Sequence, residues 1–443
     1  MHANERIAVI GLGYVGLTLA TVMGEVGFRV VGVEKRKDVV DKTNSGAPHF
    51  SETGLEGALR RVISSGNLKA VTEINEEKPC DVYVITVGTP LNAEGLARLD
   101  MIESAVNQVV DHMPDGALII LRSTVKIGTT RNVIAPILEK SGKRFEIAMC
   151  PERTLEGRAL QELRQLPQIV GADDSAVRDR AAAIFRTLTN SIVQVSSLEA
   201  AEIVKLVDNT YRDVQFAFAN EVARLCEAFE VNAHEVIASG KLGYSRTNVP
   251  LPGLVGGPCL EKDPHILAQS AQSRGLNMEI TRAGRMVNER QPAETMQLIV
   301  AQMARREMGE GVKVALLGMA FKGVPATDDL RGSMSLKVLE ALHLLRPDVE
   351  VHAYDPVISP TELARDVPGV KPCVSLEAAV RDAAVVIIAN NHPALGELPP
   401  VALVELMQPG GFVYDYWNHF SNLSDEELGN AYFAVGNIKE KRV

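Results

Sequence analysis

The stretch that decides the fold is Arg6-Ile7-Ala8-Val9-Ile10-Gly11-Leu12-Gly13-Tyr14-Val15-Gly16. An apolar run of strand type leads directly into glycines at the G-x-G-x-x-G spacing, and a helical pattern follows over residues 17–26. In that context the glycines permit a tight turn and let a pyrophosphate approach backbone N–H groups at a helix N-terminus. The stretch therefore predicts a strand, a turn and a helix that together bind a dinucleotide.

A carboxylate marks the end of the second predicted strand. Glu34 follows Val30-Val31-Gly32-Val33 and lies eighteen residues beyond Gly16. At that place a carboxylate accepts hydrogen bonds from the ribose hydroxyls of NAD and repels the 2′-phosphate of NADP. The basic run Lys35-Arg36-Lys37 comes next and either meets such a phosphate or forms a solvated surface. NAD is therefore favoured as the cofactor.

Short β-branched runs alternate with helical patterns in two parts of the chain, from Ile7 to about Val195 and again after Gly311. Such alternation predicts parallel, doubly wound sheets. We therefore expect an α/β fold with two Rossmann-like doubly wound parallel-sheet domains joined by a central all-helical dimerisation domain. The expected domains are residues 1–198 for NAD binding, 199–300 for the helical part and 301–443 for the second Rossmann-like domain, which we expect to bind the substrate.

The middle of the chain has no strand pattern and opens with Ser196 and Glu199 at the spacing of a capping box. Apolar positions three or four residues apart predict one buried stripe along a helix of about thirty residues. A helix of this length suits a backbone between domains or the seam of a dimer. The stripe comprises Ile203, Val207, Tyr211, Val214, Phe218, Val222 and Leu225.

Composition excludes several functional classes. The 443 residues include 46 Lys and Arg against 56 Asp and Glu, and the formal charge of -10 disfavours binding to nucleic acid. No apolar run approaches the roughly 20 residues of a membrane span, and the chain enters its first strand without a secretory leader, so a cytoplasmic protein is expected. The cysteines are scattered without metal-ligand spacing, which favours reduced thiols and no metal: Cys80, Cys150, Cys226, Cys259 and Cys373.

Six motifs in one order give the chain a family resemblance. They are Gly13-Tyr14-Val15-Gly16, Ser123-Thr124-Val125, Cys150-Pro151-Glu152, Lys205 with Asn209, Gly256-Gly257-Pro258-Cys259, and Asp263. From Ile7 to about Trp417 the chain resembles the UDP-glucose/GDP-mannose dehydrogenase family. The resemblance implies two successive two-electron oxidations of a nucleotide sugar, which consume two NAD and one water without release of the aldehyde. It also implies a homodimer or higher homo-oligomer and a place in the synthesis of cell-surface polysaccharide precursors.

Cys259 is the candidate nucleophile. Oxidising an alcohol to an acid with hydride acceptors requires a second hydride donor, which a thiolate makes by adding to the aldehyde. Gly256 and Gly257 leave room for substrate and cofactor, which a structural cysteine would not need. Lys205 and Asn209 share one helix face and suit oxyanion stabilisation, although such a pair without the resemblance would indicate an exposed polar face.

The other site residues follow from the resemblance. Glu152 faces the substrate, Glu156 faces the nicotinamide, and Asp263 works with Thr124 and a water in proton transfer. The expected cofactor-binding residues are Gly11, Gly13, Tyr14, Val15, Gly16, Glu34, Thr89, Thr124, Glu156 and Arg331. The expected substrate-binding residues are Glu152, Lys205, Asn209, Arg246, Gly256 and Lys322. Thr89 could instead end a turn, and Lys322 and Arg331 could form interdomain ion pairs.

The signals for the sugar conflict. Arg246 with the Pro-Gly loop 250–253, and Pro258 before Cys259, are closer to the N-acetylhexosamine branch, whereas Glu156 is typical of the glucose enzymes. We expect UDP-N-acetylmannosamine, UDP-N-acetylglucosamine or UDP-N-acetylgalactosamine, with UDP-glucose as the alternative. A β-hydroxyacid dehydrogenase or a non-catalytic NAD-binding protein are alternatives of other classes. Neither accounts for both Cys259 and a nucleotide domain after Gly311.

Overall fold

Residues 5–74 and 79–437 are described by the structure, a computed structural model. The first four residues, on which the expected lack of a leader partly rests, lie outside this range. The chain divides into unit 1, Met1–Asn209 with His265–Asn277, and unit 2, Thr210–Pro264 with Met278–Val443. The expected three-part division stays a prediction. Across the described residues, no helix combines the length and apolar character that a bilayer crossing requires.

Unit 1 contains an eight-stranded sheet. In chain order its strands are β1 Arg6–Ile10, β2 Arg29–Val33, β3 Leu68–Val71, β4 Val82–Ile85, β5 Ala117–Leu121, β6 Phe145–Met149, β7 Gln168–Gly171 and β8 Ile192–Val195. They lie in the order β3-β2-β1-β4-β5-β6-β7-β8. The first six follow the order of the doubly wound dinucleotide fold, which confirms the prediction from the glycine turn.

One junction in this sheet departs from the expected parallel arrangement. β7 pairs with β6 in the antiparallel sense through Met149 and Gly171, while β8 runs parallel to β7. The sequence analysis did not identify β3 or β7 as strands. Their sequences, Leu-Lys-Ala-Val and Gln-Ile-Val-Gly, each contain only a short apolar run, which is a weak strand signal.

Helices cover both faces of the unit 1 sheet. They are α1 Tyr14–Glu25, α2 Lys37–Asn44, α3 Leu55–Ser64, α4 Asp100–His112, α5 Ala135–Glu139 after a π-helical turn Thr130–Ile134, α6 Ala159–Gln165 and α7 Ser175–Phe185. Alternate strand residues enter two separate cores, with Ile7 and Val9 on one face and Ala8 and Ile10 on the other. Burial on both faces explains why these strands read as continuous apolar runs.

Helix α8 spans Leu198–Ala228, and its 31 residues confirm the predicted length. The predicted capping box is wrong by one residue. Ser197 accepts the hydrogen bond from the Ala200 amide at 3.1 Å, and Glu199 instead pairs with Arg131. Glu199 therefore forms an ion pair with Arg131, in the connection between β5 and β6, and not the local capping contact that the spacing predicted.

The predicted stripe on α8 is also not buried within this chain. Tyr211, Phe218 and Leu225 are 62%, 54% and 57% exposed. Large apolar side chains repeated along one helix face and left in solvent indicate an interaction surface. Of the two interpretations given by the sequence, the seam of a dimer is therefore favoured over a backbone buried between domains.

Unit 2 combines the second half of α8 with a six-stranded parallel sheet. Its further helices are α9 Ala233–Lys241, α10 Gly257–Leu260, α11 Asp263–Gln272, which continues into unit 1, α12 Glu279–Arg305, α13 Met334–Leu345, α14 Pro360–Asp366, α15 Leu376–Val380, α16 Pro400–Leu406 and α17 Asp425–Leu428, with a 3-10 turn at Pro393–Gly396. Its strands are β9 Lys313–Leu317, β10 Glu350–Tyr354, β11 Lys371–Pro372, β12 Val385–Ile388, β13 Phe412–Asp415 and β14 Tyr432–Ala434. The order β11-β10-β9-β12-β13-β14 repeats the topology of the first six strands of unit 1.

One core connects the helical segment of unit 2 to its sheet. Ala223 and Cys226 of α8 and Met296 of α12 belong to the same buried cluster as Val314 and Leu316 of β9. This shared core explains why contacts group the second half of α8 with the C-terminal sheet. The fold class expected from the sequence, two parallel-sheet domains with a helical segment between them in the chain, is confirmed.

Candidate active site

The turn between β1 and α1 shows why its glycines differ in role. Gly11 has a φ of +92°, where side chains other than glycine are strained. A Cβ on Gly16 would lie 1.8 Å from the Gly11 carbonyl oxygen, so this position needs glycine for the helix to approach the turn. A Cβ on Gly13 would meet no atom within 4 Å. Gly13 therefore faces open space, which is the clearance that a pyrophosphate requires.

Glu34 lies beside this turn, at the end of β2. Its carboxylate accepts hydrogen bonds from the Leu12 amide at 3.1 Å and the Arg36 amide at 3.0 Å. The Arg36 side chain is 61% exposed and its Nε lies 3.8 Å from the same carboxylate. The acidic group that was predicted to bind ribose is thus held between the glycine turn and the start of α2. The clearance at Gly13 and the carboxylate of Glu34 fit the pyrophosphate and the ribose of NAD.

The loops that follow β4 and β5 are joined by hydroxyl groups. The Thr89 hydroxyl, in a residue only 4% exposed, donates to the Thr124 carbonyl at 2.5 Å. The Ser123 hydroxyl donates to the Val87 carbonyl at 2.6 Å. Thr89 and Thr124, both predicted site residues, are therefore brought together at the carboxyl ends of neighbouring strands, where doubly wound sheets bind ligands.

Glu152 follows β6 and is almost fully buried. It forms an ion pair with Arg122, and its other oxygen accepts from the Arg153 amide at 2.7 Å and the Thr154 amide at 2.9 Å. Burial alone would raise the pKa of Glu152, but the Arg122 charge and these hydrogen bonds lower it overall. The carboxylate is therefore held ionised in a fixed orientation.

Arg122, which the sequence analysis missed, is itself completely buried at the end of β5. Besides Glu152, its guanidinium contacts the Gln168 side-chain oxygen at 3.2 Å and lies over the Phe185 ring at 5.0 Å. A buried guanidinium needs such partners, because an unpaired buried charge is very costly. The available signal was a charged residue directly after the wholly apolar strand β5.

Two connections fasten these loops to α8, the helix that carries Lys205 and Asn209. Arg153 Nε lies 3.1 Å from Asp208 Oδ2, which ties the loop of Glu152 to the helix. Lys205 and Asn209 are 7% and 6% exposed, so the exposed polar face that the sequence left open for them is wrong. Both side chains are buried on the same helix that holds the β6 loop.

The second connection is made by Glu202, one turn before Lys205. Its carboxylate is 1% exposed and accepts from the amides of Gly128 and Thr130 and from the Thr130 hydroxyl. Burial raises the pKa of Glu202, while the bonds from Thr130 and Gly128 oppose that shift. The carboxylate thus anchors the loop after Thr124 to α8.

Glu156 is half-buried in the loop after β6. Just beyond it, the Gly157 and Ala159 amides donate to the buried Glu52 carboxylate at 2.6 and 3.0 Å. The position of the loop that carries Glu156 therefore depends on an acidic residue about one hundred positions earlier in the chain.

Cys259, in unit 2, lies in the one-turn helix α10 and is half-buried. The turn before it is tightly packed. A Cβ on Gly257 would lie 2.3 Å from the Phe321 ring, and a Cβ on Gly256 would lie 2.4 Å from the Gly332 carbonyl oxygen. The Gly257 amide donates to the same Gly332 carbonyl at 2.7 Å. These glycines are thus required by packing of the chain on itself, and their predicted role in admitting substrate stays a prediction.

The remaining predicted residues of unit 2 differ in their surroundings. Asp263 begins α11, is fully buried and pairs with Lys262 at 2.6 Å. Arg331 pairs with Asp329, two residues earlier, at 2.6 Å. This ion pair is therefore local to the loop that carries Arg331.

Lys322 and Arg246 each contact an aromatic ring of a nearby residue. Lys322 Nζ lies 5.2 Å from the centre of the Phe321 ring, and the exposed Arg246 stacks over Tyr244 at 4.7 Å. In both cases the contact made within unit 2 is to the side chain of a sequence neighbour.

The other cysteines lie in unreactive settings. Burial raises the pKa of Cys80 to about 11 and that of Cys150 to about 12, and it also raises the pKa values of Cys226 and Cys373. A thiol with a raised pKa is a poor nucleophile at neutral pH. Burial therefore disfavours the thiolate form of all four cysteines.

Sequence comparison identifies three consecutive domains. Residues 5–189 match the NAD binding domain, residues 199–290 the central domain and residues 315–422 the UDP binding domain of one family. The chain belongs to the UDP-glucose/GDP-mannose dehydrogenase family. It is an NAD-dependent UDP-sugar dehydrogenase, and therefore an oxidoreductase. The UDP binding domain at residues 315–422 argues against a β-hydroxyacid dehydrogenase, the alternative that does not account for it.

Similar proteins carry two kinds of substrate name. UDP-N-acetyl-D-mannosamine dehydrogenase of Pyrococcus horikoshii is 35% identical over 397 residues, which are 88% of this chain and 90% of that protein. The structure of a Pyrobaculum islandicum UDP-glucose dehydrogenase is 30% identical with a TM-score of 0.86, covering 98% of each chain. The Staphylococcus aureus UDP-N-acetyl-mannosamine dehydrogenase structure is 29% identical with a TM-score of 0.83, again covering 98% of each.

Replacing Glu152 tests the buried ion pair. We expect Glu152→Gln to lower the free energy of unfolding by about 3 kcal/mol at pH 7, because the Arg122 charge loses its buried counterion. The folded-state pKa of Glu152 is lowered, so its stabilisation is present above the usual value of 4.5 and is lost as pH falls through the folded-state pKa. The gap between wild type and variant should therefore shrink below about pH 4.5.

Urea unfolding between pH 3 and pH 8 provides the measurement. Glu56→Gln is the control, because Glu56 pairs with Arg60 on the exposed face of α3 and should change stability by less than about 0.5 kcal/mol. A gap for Glu152→Gln that is independent of pH would contradict the assignment.

Proposed function

We propose that the enzyme oxidises C6 of a UDP-N-acetylhexosamine, with UDP-N-acetylmannosamine as the first choice, to the uronate. The observation that carries the reaction is the setting of Cys259: a half-buried thiol in a helical turn packed against Gly332 and Phe321. The choice of sugar is supported by the names of relatives that match 88% or more of the chain at 30–35% identity. UDP-glucose is the second candidate, because the Pyrobaculum structure with that name is nearly as similar.

The proposed cofactor residues act by shape and charge. Gly11, Gly13 and Gly16, with Tyr14 and Val15, provide the open turn and the α1 N-terminus for a pyrophosphate, and Glu34 provides the ribose acceptor. Thr89, Thr124, Glu156 and Arg331 are proposed to complete the site. When bound, NAD accepts one hydride in each of the two oxidations.

The proposed chemistry keeps the aldehyde on the enzyme. Asp263, with Thr124 and a water, is proposed to take the proton of the C6 alcohol as the first hydride leaves. The Cys259 thiolate then adds to the aldehyde carbon and forms a C–S bond, and loss of the second hydride from that carbon gives a thioester. Water attacks the thioester, the C–S bond breaks, and the carboxylate product and the thiol are released.

The substrate-binding residues are proposed to hold the sugar during these steps. Lys205 and Asn209 stabilise the oxyanion at C6, since a buried ammonium and a buried amide are effective donors when water is excluded. Glu152, held by Arg122, orients the substrate. Arg246, Gly256 and Lys322 are proposed to contact the nucleotide sugar from unit 2.

The stoichiometry of NADH tests the reaction. With excess NAD, we expect about two NADH for each uronate formed, and the largest turnover with UDP-N-acetylmannosamine in a panel that also contains the other UDP-N-acetylhexosamines and UDP-glucose. Absorbance of NADH and product mass are the measurements. Cys259→Ser should reduce uronate formation by about a thousandfold, while the control Cys373→Ser should retain it.

Two outcomes separate the substrate from the mechanism. Turnover of UDP-glucose alone, with two NADH per product, would keep the mechanism and replace the sugar. Full activity in Cys259→Ser, or no turnover with any UDP-sugar, would sink the proposal.

Two glycine variants test the cofactor turn. Gly13→Ala should fold normally, because its Cβ meets nothing within 4 Å, but should raise the dissociation constant for NAD by about tenfold or more by filling the space for the pyrophosphate. Gly16→Ala should lose stability, because its Cβ overlaps the Gly11 carbonyl. Thermal unfolding and NAD titration are the measurements, and unchanged NAD binding in a folded Gly13→Ala would argue against the proposed site.

We also propose a homodimer formed through the exposed face of α8. Phe218→Asp should shift the protein to a monomer in sedimentation experiments, because a charge in an apolar interface loses its solvation. Leu344→Asp, at an 81% exposed leucine on α13, is the matched control and should leave the assembly unchanged. A dimer that persists in Phe218→Asp at low protein concentration would disprove this interface.

A further inference from the structure

A group of buried polar side chains lies between α8 and α12 in unit 2, and none of its members belongs to a motif found in the sequence. We name it the α8–α12 polar cluster; its members are Asp213, Asn220, Arg285, Asn288 and Gln291, each at most 8% exposed. Burying so many polar groups is unfavourable unless they are bonded to one another or to backbone. Their partners therefore show what the cluster does.

Arg285 bonds to the loop that carries Cys259. Its Nη1 donates to the Leu260 carbonyl at 2.8 Å, and its Nη2 donates to the Val255 carbonyl at 3.0 Å. These two residues bracket Gly256 to Cys259 in the chain. The guanidinium thus spans the segment that contains the nucleophile and fixes the backbone on both sides of it.

The backbone of this segment needs such a partner. Helix α10 is four residues long, so the carbonyl groups at its end accept no hydrogen bond from a later turn of the same helix. Val255 and Leu260 are also both buried. A cation at a helix C-terminus is also favourable, because the partial negative charge of the helix lies there. One planar guanidinium meets both requirements at once, which a single ammonium group would not.

The rest of the cluster holds Arg285 and the start of the loop. Asp213 accepts from Arg285 at 2.6 Å and from Asn288 at 2.9 Å. Asn220 forms two bonds with Gly253, donating to its carbonyl at 3.1 Å and accepting from its amide at 2.9 Å. The loop is therefore fastened at three points to side chains of two long helices.

We infer that Arg285 is a positioning residue for Cys259, holding the α10 turn so that the thiol meets the substrate carbon in a fixed orientation. The inference rests on the proposed function, in which Cys259 is the nucleophile. Stability alone does not account for the cluster, because a buried ion pair adds little over well-packed apolar residues. Its bonds end on the backbone of the nucleophile loop.

Arg285→Lys tests this role in the full-length protein. Lysine keeps a positive charge beside Asp213 but cannot bridge both carbonyls. The matched control is Arg224→Lys, because Arg224 also joins α8 to α12, through an ion pair with the side chain of Glu294 at 2.8 Å. Iodoacetamide labelling, followed by mass spectrometry of each cysteine peptide, is measured beside steady-state kinetics.

The native cysteines serve as internal references. In Arg285→Lys we expect Cys259 to be alkylated about fivefold faster relative to Cys373, because the loosened turn exposes the thiol more often. The kcat for uronate formation should nevertheless fall by about tenfold, with the KM for NAD unchanged, because the thiol is misplaced. Cys226, buried in the core of unit 2, should remain protected, and Arg224→Lys should change none of these values.

Two results would overturn the inference. One is an unchanged ratio of Cys259 to Cys373 labelling. The other is an equal rise in the labelling of Cys226, which would show that Arg285 maintains the core of unit 2 and not the loop. Because labelling needs no turnover, an active Cys259→Ser would reject the proposed function while leaving the effect of Arg285 on the loop measurable.

Discussion

Buried backbone in the site loops constrains the rest of this structure. Loops that follow parallel strands have amides and carbonyls without partners in the sheet, and leaving one buried and unbonded costs about 1–3 kcal/mol. In unit 1 the Glu202 carboxylate bonds to the amides of Gly128 and Thr130, and Glu52 does the same at the start of α6. In unit 2 Arg285 bonds to two carbonyls of the nucleophile loop. Charged side chains that lie outside the sequence motifs thus hold the loops in which the motifs lie.

These charged anchors differ in electrostatic character. Arg122 lowers the pKa of Glu152 in spite of burial, whereas burial raises the pKa of Glu202 in spite of its hydrogen bonds. A carboxylate offers two acceptor oxygens, and Glu202 uses both to accept three bonds from one loop. A neutral amide would be easier to bury but has a single acceptor oxygen. The number of donors in the loop therefore favours an acid.

The sequence predicted features that depend on local pattern. The glycine spacing after β1 gave the topology of both the turn and the sheet, and the apolar period gave the length of α8. The location of Lys205 and Asn209 on one face of that helix also follows from spacing. These features could be predicted because they depend on physical rules that act over a few residues of sequence.

Other features depend on partners that are distant in the chain. Arg122 meets Glu152 thirty residues later, Glu202 reaches back more than seventy residues to Thr130, and Arg285 reaches back to Asp213. The start of α8 was misplaced by one residue for the same reason, because Glu199 pairs with a distant arginine. Residue type shows that a charge needs a partner, but only the folded chain shows which one.

The path of the chain through the two units constrains the order in which its parts can fold during synthesis. Unit 1 includes His265–Asn277, so it lacks a segment until the ribosome has passed residue 277. The second half of α8 is buried later still, because the strand β9, which contains its core partners, begins at Lys313. During synthesis the apolar side chains of that half-helix are exposed while about one hundred residues are added, a period of roughly 5–20 s at 5–20 residues per second. The nascent helix therefore presents apolar surface until the first strand of the C-terminal sheet has been made.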